Sequence, residues 1–397
     1  MKLSTIILPT SLKATLAAGH PWVYRTHIAS LPGLADGSWV RLRCGDWSAF
    51  GVWDNEGPIA VRIFSEQQLP DLDWFVERVR AAWALRMPLF ETCTTYRWLF
   101  GEGDGLPGLT VDRYADYAVV LAYSRGVATL VPMLVQALHE CDPALQGVFG
   151  RGRPADDEHE QQAQAAQRIS VLWGRVAPPD LVVIEDGLRF AVDLQLGQKT
   201  GLFLDQRENR RFIEQISAGL RVLNVFAYTG GFSLYALRGD ASEVVSVDIG
   251  KGLAEATAQN IRLSGLNSAR HSFLTEDAFA LLERFVEQER SFDLVILDPP
   301  SFARRKQSRH AALRAYTRLN ALGMRCVAPG GLLASASCTS QIGPEDFRAM
   351  LGAAAASAGR RVQIIHEAGQ ACDHPVPAHF PEGRYLKFMV GRVQAPV

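Results

Sequence analysis

Residues Arg221 to Ser233, RVLNVFAYTGGFS, constrain the fold more than any other stretch of the chain. Val222, Leu223 and Val225 make a short apolar, β-branched run of the kind that fills a buried parallel strand. The chain then passes through Tyr228-Thr229-Gly230-Gly231 and resumes with a helical pattern, FSLYALRGDA. Strand, glycine turn and helix in this order set bare backbone N–H groups and a helix N-terminus over the carboxyl edge of a sheet, where open α/β sheets take their ligands. A pyrophosphate wants G-x-G-x-x-G there, and a P-loop ends in Gly-Lys-Ser/Thr. This turn has neither, so its occupant is not expected to be a phosphate held by an anion nest.

The strands that follow carry chemistry at their tips. EVVSVDIG ends in Asp248, where a carboxylate can accept hydrogen bonds from two ribose hydroxyls. FDLVILDPPSF ends in Asp298-Pro299-Pro300, and the prolines prevent the chain from continuing as sheet or turning at once into helix. LLASAS leads into Cys338, whose neighbours Ser335, Ser337, Thr339 and Ser340 describe a polar mouth instead of a core. Strand and helix patterns alternate through to Gly331, so the fold class is α/β with a doubly wound sheet. LLASASC and the C-terminal RYLKFMVGRV are expected to close that sheet as an antiparallel edge.

Upstream, residues 1–72 read as short strands between turns (STIILP, SWVRLRC, AFGVWDNEG, PIAVRIFS), which fits a small β-barrel. Gly19 to Tyr24, GHPWVY, lies between the first two, near Lys13 and Arg25. Residues 73–187 open on a helix over Asp71 to Met87, with a stripe of Leu72, Phe75, Val76, Val79, Ala82 and Trp83. Strands at Tyr96–Phe100, Leu109–Tyr114 and Tyr117–Tyr123, a helix at Val127–His139 and a strand at Gln146–Phe149 make an α+β insert. Its loop GEGDGLPG is glycine-rich, but Glu102 and Asp104 would repel a phosphate. Asp112 and Arg113 read as an ion pair, and Arg151 to Arg168 as a solvated loop or surface helix. Asp186-Gly187 turns a hairpin of Val182–Glu185 and Arg189–Asp193, and residues 188–397 follow as the α/β domain.

Length and composition set outer limits. A chain of 397 residues, 48% hydrophobic and 21% charged, is globular and long enough for two or three domains. It has no apolar run of membrane-spanning length and no signal peptide, which implies a cytosolic protein without a membrane partner. Six scattered cysteines include no C-x-x-C pair, so neither a zinc site nor any other metal is expected. Net charge is −1, which excludes a global field for polyanions. Of 41 basic residues six are lysine, and an arginine excess suits phosphate forks and base stacking as readily as it reflects codon bias.

The glycine turn, the acidic second strand and the Asp-Pro-Pro motif resemble class I S-adenosylmethionine (SAM)-dependent methyltransferases. GQKTGLFLDQREN (Gly197 to Asn209), VLNVFAYTGGFS, DLVILDPPSFA, SCTSQI and GHPWVY narrow the resemblance to the RlmI-type ribosomal large-subunit RNA cytosine-5 methyltransferases, whose motifs run in this order over almost the whole chain. The resemblance implies a PUA-like RNA-binding barrel at 1–72, an α+β central domain at 73–187 and a SAM-dependent methyltransferase domain at 188–397. It implies 23S ribosomal RNA as partner and leaves room for a homodimer. SAM would be held by Gln198, Thr200, Leu202, Asn224, Phe226, Tyr228, Thr229, Gly230, Gly231, Asp248, Asp277 and Asp298.

Methyl transfer from a sulfonium needs an aligned, nucleophilic acceptor. For carbon-5 of cytosine the resemblance implies that a Cys338 thiolate adds at carbon-6 while Asp298 hydrogen-bonds or protonates N3. Competing readings exist at several positions. Cys338 is otherwise one more small buried residue, as Cys326 in LGMRCVAPGG is taken to be. Asp298 could cap its turn, and Asp277 could cap the helix AFALLERF as well as accept from an adenine amino group. His20 and Trp22 form either a capped turn or an RNA contact, and Arg304, Arg305 and Lys306, with Arg309, Arg314 and Arg318 beyond, form either a solvated helix face or a phosphate grip. A nitrogen methyltransferase without covalent catalysis is a rival function, weakened because Ser301 separates Pro300 from Phe302. A non-catalytic RNA-binding assembly factor is another, weakened by the intact Gly230-Gly231, Asp248 and Asp298.

Overall fold

Alternation along TrpValArgLeuArgCys builds the first sheet. Val40, Leu42 and Cys44 are fully buried while Arg41 and Arg43 face solvent, as a strand's two-residue period requires. In the computed structural model, which describes residues 3–30, 33–151, 170–194, 202–302 and 309–395, this strand is β3 (Trp39–Cys44). It joins β1 (Ser4–Ile7), β2 (Trp22–Tyr24), β4 (Trp47–Trp53) and β5 (Ile59–Ser65) in the order β1-β3-β4-β5-β2, over a core that includes Val23, Ala49, Trp53, Ala60 and Val61. β2 is the GHPWVY segment, drawn into the sheet by pairing with β5.

The chain divides into two units. One comprises Met1–Asp186 with Val192–Leu204 and Cys372–Gly383, and the other Gly187–Ala191 with Asp205–Ala371 and Arg384–Val397. Besides the sheet above and a short helix α1 (Lys13–Ala17), the first unit contains α2 (Leu72–Arg86), capped by Asp71, and a second five-stranded sheet. That sheet runs β10-β9-β8-β7-β6, from β6 (Thr95–Phe100), β7 (Leu109–Tyr114), β8 (Tyr117–Ala122), β9 (Gly147–Arg151) and β10 (Ser170–Gly174). The helix expected over Val127–His139 is two pieces, α3 (Arg125–Ala128) and α4 (Val131–Cys141). Pro132 lacks the N–H that a continuous helix would need, and it sits instead in the first turn of α4.

The expected Asp112–Arg113 pair does not form. Neighbours on a strand point to opposite faces, so Asp112 pairs with Arg97 and Arg113 with Asp142. The acidic loop resolves in the same way: both carboxylate oxygens of Asp104 accept from the guanidinium of the fully buried Arg86, at 2.7 Å each.

In the second unit, α5 (Arg207–Ile216) leads into β13 (Arg221–Val225), the centre of a seven-stranded sheet. Earlier in the chain, β11 (Val182–Glu185), which belongs to the first unit, and β12 (Leu188–Ala191) are joined at Asp186-Gly187, which have φ of 49° and 81°. The sheet order is β15-β14-β13-β16-β17-β19-β18, with β14 (Glu243–Asp248), β15 (His271–Thr275), β16 (Phe292–Leu297), β17 (Val327–Ser337), β18 (Val362–Ala368) and β19 (Lys387–Val393). Helices α6 (Gly231–Arg238), α7 (Leu253–Leu263), α8 (Ala278–Glu287), α9 (Arg309–Arg325) and α10 (Pro344–Ser357) connect the strands. The edge differs from expectation. β17 is an interior strand parallel to β16, and β19 is antiparallel but lies between β17 and β18, so β18 is the edge. β19 reads KFMVGRV, apolar enough to be covered on both faces, and five of its first five residues are buried.

One polar chain crosses this apolar core. The Asn224 amide donates to Ser233 Oγ at 2.8 Å, Ser233 and Ser246 hydroxyls lie 2.7 Å apart, and Ser246 Oγ lies 2.8 Å from His271 Nε2. Burial pushes the His271 pKa down from 6.5 to about 4. The folded state therefore refuses a proton that the unfolded state accepts between those values, and stability falls as pH drops through that window. Thermal melts from pH 7.5 to about 4 should show a smaller acid-side loss for His271→Gln than for the wild type, and parallel curves would refute the assignment.

Candidate active site

The end of β13 is held in a backbone conformation that side chains resist. Phe226, Tyr228 and Gly230 have φ of 62°, 48° and 83°. The two non-glycine residues each cost about 1–3 kcal/mol, a strain that persists only where the surroundings impose it. Ala227 N–H donates to the Val247 carbonyl and Tyr228 N–H to Asp248 Oδ2, both at 2.9 Å, while the Asn260 amide donates to Thr229 O at 3.0 Å. At Gly230 a Cβ would lie 2.5 Å from Thr257 Cγ2, so only glycine fits. Gly231 then begins α6.

Asp248, at the tip of β14, also accepts the Gly250 N–H at 3.0 Å through Oδ1. Each carboxylate oxygen has two acceptor sites, so both retain capacity for a ligand diol. Ile249 beside it is 69% exposed, an apolar surface next to a diol acceptor, which suits a nucleoside. Asp277 caps α8 by accepting Ala280 N–H at 3.0 Å. Parallel pairing of Val225 with both Val247 and Leu297 sets Asp298 beside the glycine turn, with its N–H 3.5 Å from Val225 O. Asn224 is buried within β13, engaged with Ser233 as described.

Cys338 follows β17, the strand next to β16, in which Leu297 pairs with Ser335. At a strand spacing of about 4.8 Å it stands one strand from Asp298 and roughly 10 Å laterally from the turn. It is partly exposed and in no disulfide, whereas Cys326 is fully buried, with a pKa pushed up to about 12 by burial. Tyr316, from α9, accepts from Ser337 Oγ at 3.1 Å, and its ring lies 4.7 Å from that of Phe302. Burial, reinforced by the charges of Cys338 and Asp298, raises its pKa to about 12, so one buried phenol feels both groups. Across the sheet Ser337 pairs with Lys387, whose ammonium donates to the carbonyls of Thr339 and Tyr385.

Comparison with known proteins decides the assignment. A model described as S-adenosylmethionine-dependent methyltransferase matches residues 158–374, and one described as a PUA-like domain matches residues 6–66. "Ribosomal RNA large subunit methyltransferase I" of Erwinia tasmaniensis is 37% identical over 98% of this chain and 99% of its own length. The protein of the same name from Aeromonas salmonicida is 36% identical over the same shares. This chain belongs to the ribosomal RNA large subunit methyltransferase I family. The crystal structure of SMU.776 complexed with SAH has the same fold, with a TM-score of 0.87 at 22% identity over 98% of this chain and 100% of that one.

As a member of this family the protein is SAM-dependent, and the strained turn, Asp248 and exposed Ile249 fit the nucleoside half of that molecule. Gln198, Thr200, Arg304, Arg305 and Lys306 lie outside the described residues. Leu202 belongs to the first unit, where its N–H points to the Tyr114 hydroxyl at 3.4 Å. His20 and Trp22 also belong there: Trp22 Nε1 donates to Glu102 at 2.8 Å, its ring lies 4.6 Å from Phe380, and His20 Nε2 is 3.6 Å from Glu382. Their polar atoms thus have protein partners. Among the described residues no helix is long and apolar enough to cross a membrane, and no group of three metal-ligating side chains occurs.

Sequence reasoning passed over Asn260, Tyr316 and Lys387. Lys387 alone left a trace, as a charge heading an otherwise apolar run, KFMVG. Asp248→Ala is expected to weaken SAH binding roughly ten- to hundredfold by calorimetry, the worth of hydrogen bonds to a charged acceptor. An unchanged affinity would remove Asp248 from the site.

Proposed function

We propose that this protein transfers a methyl group from SAM to carbon-5 of a cytosine in 23S ribosomal RNA, in the cytosol, through a covalent adduct with Cys338. The related proteins are named for large-subunit ribosomal RNA, and the single observation that carries the base and the mechanism is the partly exposed Cys338 at the strand tip beside Asp298. Cys338 thiolate forms a bond to carbon-6, and the ring electrons shift to carbon-5. Asp298 hydrogen-bonds N3 and relieves the charge as sulfur adds. Bound SAM supplies the electrophilic methyl. Carbon-5 then gives up its proton to a base, the sulfur–carbon-6 bond breaks, and the thiolate and the ring double bond are restored. The PUA-like region, by its family, would add RNA contacts.

Cys338→Ala should reduce methylation of a purified 23S RNA fragment by at least about a thousandfold. With 5-fluorocytosine in the fragment the wild type should remain covalently attached, since fluorine cannot leave as a proton. Methylation without a trapped complex, or an active Cys338→Ala enzyme, would favour attack by a ring or amino nitrogen instead.

A further inference from the structure

An attacking thiolate needs a positive neighbour, because an ordinary thiol is mostly protonated at neutral pH. Lys387 is 2% exposed in the interior of the sheet. Burying an ammonium is costly unless it is paired and hydrogen-bonded. Its Nζ donates to Thr339 O, immediately after Cys338, and at 2.8 Å to Tyr385 O. Its backbone pairs with Ser337, immediately before Cys338. The lysine is therefore attached to the chain on both sides of the cysteine. Among the described residues, Tyr316 on α9 feels the charges of both Cys338 and Asp298, and the exposed Arg384 acts on Lys387. Asp298, when ionised, opposes a thiolate, and the phenol stays neutral, so among the described residues the buried ammonium is the cation best placed to favour it.

We propose that Lys387 is the positioning residue that holds Cys338 as thiolate, through the exchange Cys–SH + Lys–NH2 → Cys–S⁻ + Lys–NH3⁺. Burial brings the Lys387 pKa down to about 8, against the opposing pull of a charged Cys338. Coupling is reciprocal: whatever the thiolate does for the ammonium, the ammonium does for the thiolate. Lysine can take the thiol's proton itself, whereas a guanidinium at this place would stay charged and favour the thiolate without that exchange. In a chain where only six of 41 basic residues are lysine, one stands here. The proposal gives a purpose to the nucleophile reading and rests on it, but the ionisation of the thiol can be measured apart from methyl transfer.

The experiment is the pH dependence of iodoacetamide alkylation at Cys338 in the full-length protein, read by peptide mass spectrometry because the chain has six cysteines. Wild type should inflect below about 7.5, within the range of cysteines beside cations. Lys387→Met should raise the inflection by about one unit or more, cutting the rate at pH 7 about tenfold, and Lys387→Arg should keep it low. A wild-type inflection at or above about 8.5, the ordinary thiol value, overturns the proposal without any variant. So does a Lys387→Met protein that melts and binds SAH like wild type and shows an unshifted profile, or an arginine variant with an ordinary thiol. A low, Lys387-dependent inflection together with an active Cys338→Ala enzyme would confirm the ion pair and end the nucleophile reading.

Discussion

The bond from Tyr228 N–H to the Asp248 carboxylate joins the tips of two neighbouring strands and keeps the first of them in a shape it would not otherwise take. Released, Tyr228 would relax to negative φ and withdraw the backbone from the cofactor's side of the sheet. The same carboxylate accepts from Gly250 and retains acceptor capacity. One acid thus sets the turn and still has lone pairs to offer. Asn260, reaching from α7 to Thr229 O, adds a support from outside the sheet.

The second half of the site depends on register. Val225 with Leu297, Leu297 with Ser335, and Ser337 with Lys387 are successive pairs across four strands. A slip of one residue anywhere in this series would exchange the faces of the strand and carry Asp298 or the cysteine away from the mouth. The apolar contacts of Leu297, Tyr316, Leu333, Phe347 and Met389 in one core hold the register. Of the serines around Cys338, Ser335 and Ser337 are buried and Ser340 is exposed, and Ser337 is tied to Tyr316, so the mouth is ordered by a hydrogen bond beneath it.

What the sequence revealed was largely what is local. The Val222–Val225 run, the glycine turn and the acids closing β14 and β16 are each contained in a dozen residues, and periodicity and turn chemistry suffice to place them. The Asp186-Gly187 turn is of the same kind. Non-local features were missed for a common reason. β10 gains its place only by pairing with β9, and the split at Thr129-Leu130 turned on whether Pro132 ends a helix or begins one. The partners of Asp112 and Arg113 depend on which face each strand presents. Lys387 gains significance only through the pairing that sets it opposite Ser337.

The position of β19 bears on how the molecule is made. Among the seven strands of its sheet it is the last to be synthesised, yet it lies inside, with β18 hydrogen-bonded to it alone. While translation is under way, β17 must keep a naked flank and β18 has no companion, a state that invites pairing with foreign chains. Closure of the sheet waits for β19 to emerge, and the lysine arrives with it. A nascent chain therefore carries Cys338 before Lys387 is in place opposite Ser337, and this corner of the sheet is completed last.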